Sequence, residues 1–240
     1  PSRTQIWKDA GNRMELIGLS SDKNNSKIII NSTHRDSTSK TNIETEYIVD
    51  SDGAIKIKRQ IDVESKSLPE IPRIGIKFTL PGDFKEIHWF GRGPHESYWD
   101  RKQSAPIGFY KGLVWDQTFQ YVRPQETGNK TDVYWMALES NEIGLMAVGL
   151  PQFDGSVHQY PYEDLDYYPG SQKHGKLDIS SKNQTDWLID YGQMGVGGDN
   201  SWGAKPMKKY TLYPGYYEHS FILIPYKVGA DLNKLSKRRI

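Results

Sequence analysis

The chain has 240 residues, with 31 Lys and Arg against 30 Asp and Glu, no Cys and a formal net charge of +1. A near-zero balance supplies no general pull toward phosphate backbones or anionic membranes, which argues against a nucleic-acid partner. The missing Cys excludes disulfides, thiolate zinc sites and a Cys nucleophile. No run approaches the roughly 18 apolar residues of a membrane-spanning helix, and the opening Pro1-Ser2-Arg3-Thr4-Gln5 does not read as a signal peptide. The chain opens without Met and reads as a piece of something longer.

Taken in order, the periodicity is that of strands. Strands are predicted over 13–19 and 26–33, followed by a β-hairpin over 44–63. In that hairpin Ile55, Ile57, Ile61 and Val63 alternate with Lys56, Lys58, Gln60 and Asp62, and Asp50-Ser51-Asp52-Gly53 offers the positive φ of a tight turn. Ile74, Ile76, Phe78 and Leu80 repeat the alternation against Arg73, Gly75, Lys77 and Thr79. Further strands are expected over 86–90, 132–139, 143–149, 155–160, 186–191, 208–213 and 217–225. Helical stripes are absent apart from one short turn expected at 163–168. Many strands with Gly and Pro between them, and no alternation with helices, predict an all-β fold, a large antiparallel β-sandwich. Strand patterns cross the soft boundary at Ser65 to Pro72, so residues 1–240 read as a single domain.

Two stretches resist a strand reading, 90–124 and 160–182. The chain holds 7 Trp, 15 Tyr and 7 Phe, and all but Trp7, Tyr47 and Phe78 lie after residue 80. Long aromatic loops in a compact fold are usually functional, so chemistry is sought there. In Gly195-Val196-Gly197-Gly198-Asp199-Asn200-Ser201-Trp202 a Gly-rich turn projects a Trp beside polar residues, a pairing suited to a sugar: the CH face stacks on the ring while the hydroxyls hydrogen-bond. On spacing alone a core-plugging Trp competes with that reading. Around Phe90 to Arg101, His95-Glu96 beside Asp100-Arg101 reads either as an acid/base cluster or, more simply, as a turn held by an Arg–carboxylate pair. Glu126 and Asp132 fit the residue types of a glycosidase pair, but turn capping explains both. The six His, at 34, 88, 95, 158, 174 and 219, lie singly, without zinc spacing. The run Lys234 to Arg239 reads as a solvated tail.

Three segments in order resemble one family: Gly91-Arg92-Gly93-Pro94-His95-Glu96-Ser97-Tyr98-Trp99-Asp100-Arg101, Tyr121-Val122-Arg123-Pro124-Gln125-Glu126-Thr127-Gly128-Asn129 and Met194-Gly195-Val196-Gly197-Gly198-Asp199-Asn200-Ser201-Trp202. With Trp7-Lys8-Asp9-Ala10-Gly11, they are similar over about residues 5–226 to the C-terminal domain of glycoside hydrolase family 2 β-galactosidases, the small chain of split enzymes. The resemblance implies a supersandwich related to galactose mutarotases. It also implies that both catalytic glutamates sit in a separate (β/α)8 barrel, leaving no catalytic residue in this chain. The family Trp of the Gly-Gly-Asp-Asp-Ser-Trp motif matches Trp202, whose implied role is stacking on the galactoside. Asp199, Asn200 and Ser201 are lesser substrate-binding candidates, and because Asn200 replaces the second Asp of the motif no role is carried over for that carboxylate. The implied partners are the remaining domains of the enzyme and its galactoside substrate. No cofactor or metal is expected in this chain, with any Mg or Na falling to the parent, a homo-oligomer of the bacterial cytoplasm or periplasm. Family members also carry an Arg-Ala-Pro-x-Asp-Asn-Asp-like segment ahead of the Trp-Lys region, so one or more opening strands are expected to precede this chain, leaving an exposed apolar edge.

Overall fold

A computed structural model of the chain describes all residues except 1, 25, 120, 123, 124, 167–178, 199, 201 and 202. Eleven strands are formed: β1 (Glu15–Asn24), β2 (Lys27–Asp36), β3 (Thr41–Val49), β4 (Ile55–Val63), β5 (Arg73–Pro81), β6 (Glu86–Arg92), β7 (Ile107–Leu113), β8 (Lys130–Glu139), β9 (Ile143–His158), β10 (Gln184–Gln193) and β11 (Tyr216–Lys227). The pairings are antiparallel throughout. Nine strands run in the order β1-β2-β3-β4-β11-β9-β8-β6-β7. The C-terminal half of β9, still paired with β8 at Phe153 and Gly155, takes β10 on its other edge, and β10 pairs with β5; these form the second layer of a large antiparallel β-sandwich.

Alternation explains the core. Ile55 and Ile57 of β4, together with Phe221 and Leu223 of β11 and Met136 and Leu138 of β8, pack with Phe153, Val157, Trp187 and Ile189 of the second layer, while Ile61 and Val63 pack with Ile71, Ile74 and Leu212. The indole N–H of Trp187 donates to Met136 Sδ at 3.2 Å. The central strands β8, β9 and β11 are buried on both faces. Their alternate residues Trp135, Ala137, Met146, Val148, Ile222 and Ile224 pack outward against Leu232, Leu235 and Ile240. The C-terminal run is therefore a docked cap, not the solvated tail expected from its charge. Helix α1 (Leu232–Leu235) lays its apolar side on the sheet, and Arg238 pairs with Asp50 at 2.9 Å and Asp52 at 2.6 Å. Leu16, Ile17 and Leu19 lie on edge strand β1 and are more than half exposed.

Three further expectations are corrected. Residues 143–149 and 155–160 form one strand rather than two: Pro151, which lacks a ladder donor, sits where β9 changes partners from β11 to β10. Segment 208–213 is not a strand. Between Pro206 and Pro214 it coils into a 3-10 turn at Lys208–Tyr210, and only Leu212 bridges to Ile71. Strand β7 lies inside the stretch that resisted a strand reading, because its outward positions Ile107, Phe109 and Leu113 are apolar and its inward ones include Gly108 and Gly112. The turn expected at 163–168 appears as a 3-10 turn over Tyr162–Leu165.

Candidate functional site

The second layer turns its other face to a polar cluster covered by the long loops. Arg73 opens β5, and its Nη2 lies 3.1 Å from Glu126 Oε1 and donates to Gln193 Oε1 at 2.5 Å. Its Nε lies 3.1 Å from Asp190 Oδ2, and its guanidinium carbon lies 5.0 Å from the centre of the Tyr162 ring. Burial pulls the Arg73 guanidinium down, but Glu126, Tyr162 and Asp190 more than offset it and hold the cation charged. Burial pushes Asp190 up to about 7 and Asp154, beside it on β9, up to about 8, each reinforced by a neighbouring carboxylate. His158, on the same face, is pulled down to about 3 by burial and by Arg73 and Lys130. Arg59 points inward from β4 and reaches across the sandwich, its Nη1 donating to the Gly75 carbonyl at 2.7 Å.

At the same end the three long sequence segments meet. Reciprocal backbone bonds between Tyr98 and Arg101, at 3.1 and 2.8 Å, close a tight turn with Trp99 and Asp100 at its tip. The Trp99 ring packs with Ile71, Ile74 and Leu212 and lies so close to Gly192 that a Cβ there would sit 2.1 Å from it. Ser97 is stitched to the second segment: its N–H donates to Asn129 O at 2.8 Å, and its Oγ accepts from Thr131 N at 3.0 Å. Glu96 binds the same segment more strongly. Its Oε2 accepts from Gly128 N at 2.8 Å and Thr127 Oγ1 at 3.2 Å, while Oε1 accepts from Arg101 Nη2 at 2.6 Å and from the Tyr121 hydroxyl. Gly128 is required there, since its φ is +79° and a Cβ would lie 2.7 Å from Gln117 O. Behind this contact Lys130 is buried, and desolvation lowers its ammonium to about 8 against the opposing charge of Glu96.

The third segment starts where β10 ends. Met194 N donates to Pro72 O at 3.0 Å and Gly195 N to Tyr210 O at 2.7 Å. The carboxylate of Asp100 then accepts from Val196 N at 3.2 Å and from Gly197 N at 2.7 Å. Asn200 is exposed at a bend. Trp202, Asp199 and Ser201 lie outside the described residues.

The acid/base alternatives resolve toward structure. Arg101 and Glu96 form the Arg–carboxylate turn pair, and His95 is exposed with Nε2 3.2 Å from Ser104 Oγ. Glu126 goes to Arg73 and Tyr162, whereas Asp132 goes to Arg92 and, at 2.8 Å, to Lys102, so the two carboxylates serve different cations. The sequence reading missed the buried cluster of Arg73, Asp154, His158, Tyr162 and Asp190, since polar residues at alternate strand positions look like a solvent face until loops cover them. It also read His88 as isolated. Glu86, His88 and Glu139 bring ligand atoms within 4.8 Å of one another and are the group among the described residues suited in type to a cation. His88 Nε2 lies 3.3 Å from Glu139 Oε2, whose carboxylate also accepts from Tyr226 at 2.9 Å.

Comparison with known proteins adds the lineage. A family model described as the beta galactosidase small chain matches residues 1–223. The β-galactosidase of Priestia megaterium (strain DSM 319 / IMG 1521) is 40% identical over 181 residues, which are 75% of this chain and 17% of that protein. The β-galactosidase of Halalkalibacterium halodurans is 27% identical over 212 residues, covering 86% of this chain and 20% of that protein. A crystal structure of galactose 1-epimerase from Lactobacillus acidophilus NCFM aligns with 87% of this chain and 66% of its own at 8% identity and a TM-score of 0.47. The chain thus spans a fifth or less of the length of these two curated relatives and corresponds to one part of each. With its three signature segments joined at one end of the sandwich and the family model matched over nearly the whole sequence, the chain belongs to the β-galactosidase small-chain family.

Proposed function

We propose that this chain is the single β-sandwich domain that completes the sugar pocket of a retaining β-galactosidase, which hydrolyses terminal β-D-galactosides with two carboxyls carried by a separate (β/α)8 barrel. In a retaining site those carboxyls stand about 5–5.5 Å apart, one as nucleophile and the other as acid and then base. The observation that carries the reading is the convergence of the three segments. Glu96 binds the loop around Gly128, and backbone bonds tie Met194 and Gly195 to the sandwich at 3.0 and 2.7 Å. This is the build of a scaffold that presents a loop. Glu126 and Asp132 support it in a second way, being engaged with separate cations. Trp202 is the substrate-contacting residue of this proposal, stacking on the sugar for about 1 kcal/mol beyond simple area burial. Asp199, Asn200 and Ser201 are its polar neighbours. Any Mg or Na requirement, and assembly into a homo-oligomer, belong to the parent.

The test has two arms. The purified chain is expected to leave a chromogenic β-galactoside uncleaved, and Trp202→Ala in the full-length enzyme is expected to raise KM and weaken a galactoside inhibitor with the fold intact. Hydrolysis by the chain alone, or unchanged kinetics after Trp202→Ala, would overturn the proposal. Micromolar galactoside binding by the chain without hydrolysis would favour a carbohydrate-binding module instead.

A further inference from the structure

We infer that Glu86, His88 and Glu139 form a site for a divalent cation of the zinc class, which joins β6 to β8 on the face turned away from the second layer. Strand geometry makes the juxtaposition. Glu86 and His88 stand two residues apart on β6 and share the face opposite Ile87 and Trp89, which lie in the core. Glu139 lies directly across from Glu86 on β8, so two carboxylates occupy one cross-strand pair. Like charges in that arrangement destabilise a sheet unless something positive stands between them. Among the described residues the basic group paired with either carboxylate is His88, its Nε2 3.9 Å from Glu86 Oε2 and 3.3 Å from Glu139 Oε2. Lys111, opposite His88 on β7, is exposed and pairs with neither. A divalent ion cancels both carboxylate charges at once.

The distances suit ligands better than a hydrogen bond. His88 Nε2 is buried and makes no hydrogen bond among the described residues. Its 3.3 Å from Glu139 exceeds the roughly 2.7–3.2 Å of N–H···O bonds. It matches the edge of a tetrahedron, about 3.3 Å, whose corners stand about 2.0–2.1 Å from the centre, the length of zinc bonds to His nitrogen and carboxylate oxygen. Glu86, on the exposed rim, is free to close its longer gap, and the three ligand atoms all lie within 4.8 Å of one another. Glu139 is held from behind. The Tyr226 hydroxyl donates to its Oε1 at 2.9 Å, which leaves Oε2 toward His88. To reach it the phenol crosses Gly144, where a Cβ would lie 2.1 Å from the ring. Gly144 pairs with Glu139 on one side and with Tyr226 on the other, so the glycine opens the path for a bond that orients a ligand. One nitrogen with two oxygens favours zinc or a neighbouring transition ion over Mg2+, which keeps a near-octahedral shell of oxygens.

The site makes no use of Trp202, so its fate and that of the pocket proposal are separate. The experiment is a ZnCl2 titration of the full-length enzyme, stripped of metal and kept in excess Mg2+ to occupy any magnesium-type sites elsewhere. It is read as zinc bound per chain in the parent and in His88→Asn. The parent is expected to bind one Zn2+ more than the variant, with a Kd of about 1 µM or tighter. Tyr226→Phe, which removes only the bond to Glu139, should weaken that binding about tenfold, the low end of what a supporting partner contributes, and His88→Asn by more than about 100-fold. Glu86→Gln, at the rim, should fall between them. With Co2+ in place of Zn2+, the difference spectrum between parent and His88→Asn should show the intense visible bands of a four-coordinate ion. Equal zinc binding by parent and His88→Asn, or a zinc site that Mg2+ fills instead, would overturn the assignment. Should His88→Asn fold poorly, the Co2+ spectrum of the parent against Glu86→Gln decides: a weak six-coordinate spectrum with oxygen ligands alone, or no difference between the two, refutes the site.

Discussion

Glu96 offers the sharpest test of how the loops are held together. Its side chain is only 10% exposed and takes four donors, one a main-chain amide, Gly128 N, at 2.8 Å. A hydrogen bond to a charged group contributes about 1.5–3 kcal/mol net. The Arg101 contact adds at most about 1 kcal/mol, because that guanidinium is 51% exposed and screened. Truncation also leaves Lys130, 1% exposed, without the negative charge that opposes its desolvation. Glu96→Ala should therefore cost about 3–5 kcal/mol, the range for breaking a buried charge pair. Glu96→Gln, which keeps the shape and one acceptor, should cost about 1–3 kcal/mol. Denaturant unfolding of the chain gives the stability, and amide exchange at Gly128 gives the local effect. A loss below about 1 kcal/mol for Glu96→Ala, with exchange at Gly128 unchanged, would refute the account of this residue as the junction of two loops.

Two other expectations follow from the buried cluster. Asp190 and Asp154 are raised to about 7 and 8 in the folded state, against an unfolded carboxyl near 3.9, so the native protein binds more protons than the unfolded chain over that interval. Stability carried by these groups is complete below about pH 4 and is lost as pH rises through 7 and 8, by up to about 1.4 kcal/mol per pH unit for each proton of difference. His158 and His219, depressed to about 3, act in the opposite sense: their contribution is present above about pH 6.5 and is lost as pH falls toward 3. The two effects oppose each other up to about pH 6.5, the carboxyls act from there to about pH 8, and above that Lys130, depressed to about 8, acts in the opposite sense. Unfolding midpoints between pH 6.5 and 8 should therefore decline, and Asp154→Asn should flatten that decline; an unchanged slope in the variant would contradict the assignment. Gly75→Ala should lower stability by about 3 kcal/mol or more, beyond ordinary overpacking, because its Cβ would fall 1.8 Å from Asp190 Oδ1 and 2.8 Å from the Asp190 Cα. A thermal melt within a few degrees of the parent chain would show that β5 and β10 are less tightly apposed than described.

Most of the strand content was legible because side-chain alternation is a local property. Ile55, Ile57, Ile61 and Val63, and later Ile74, Ile76, Phe78 and Leu80, face the core as their spacing requires. The reading failed where alternation meant something other than one wet face. Arg59 lies on the apolar side of β4 and crosses to Gly75. Arg73, Asp154 and Asp190 lie on what resembles a solvent face, yet both carboxyls are buried and Arg73 is covered by Glu126 and Tyr162 from the loops. Lys234 to Arg239 resembles a tail by its charge, while Leu232, Leu235 and Ile240 dock it to the sheet.

The sequence by itself determined the all-β class, the hairpin over 44–63, the three signature segments and, through them, the family, since each of these depends on neighbours in the chain or on residue order. Only the tertiary structure decided what those segments do to one another: that Glu96 closes on Gly128, that Asp100 closes on Val196 and Gly197, and that Glu126 and Asp132 answer to different cations. These contacts join residues 30 to 97 positions apart, and no local spacing specifies which distant partner a carboxylate will meet. That choice is made by the layer order of the sandwich, which gathers the three loops at one end and leaves the buried charges there little room to pair otherwise.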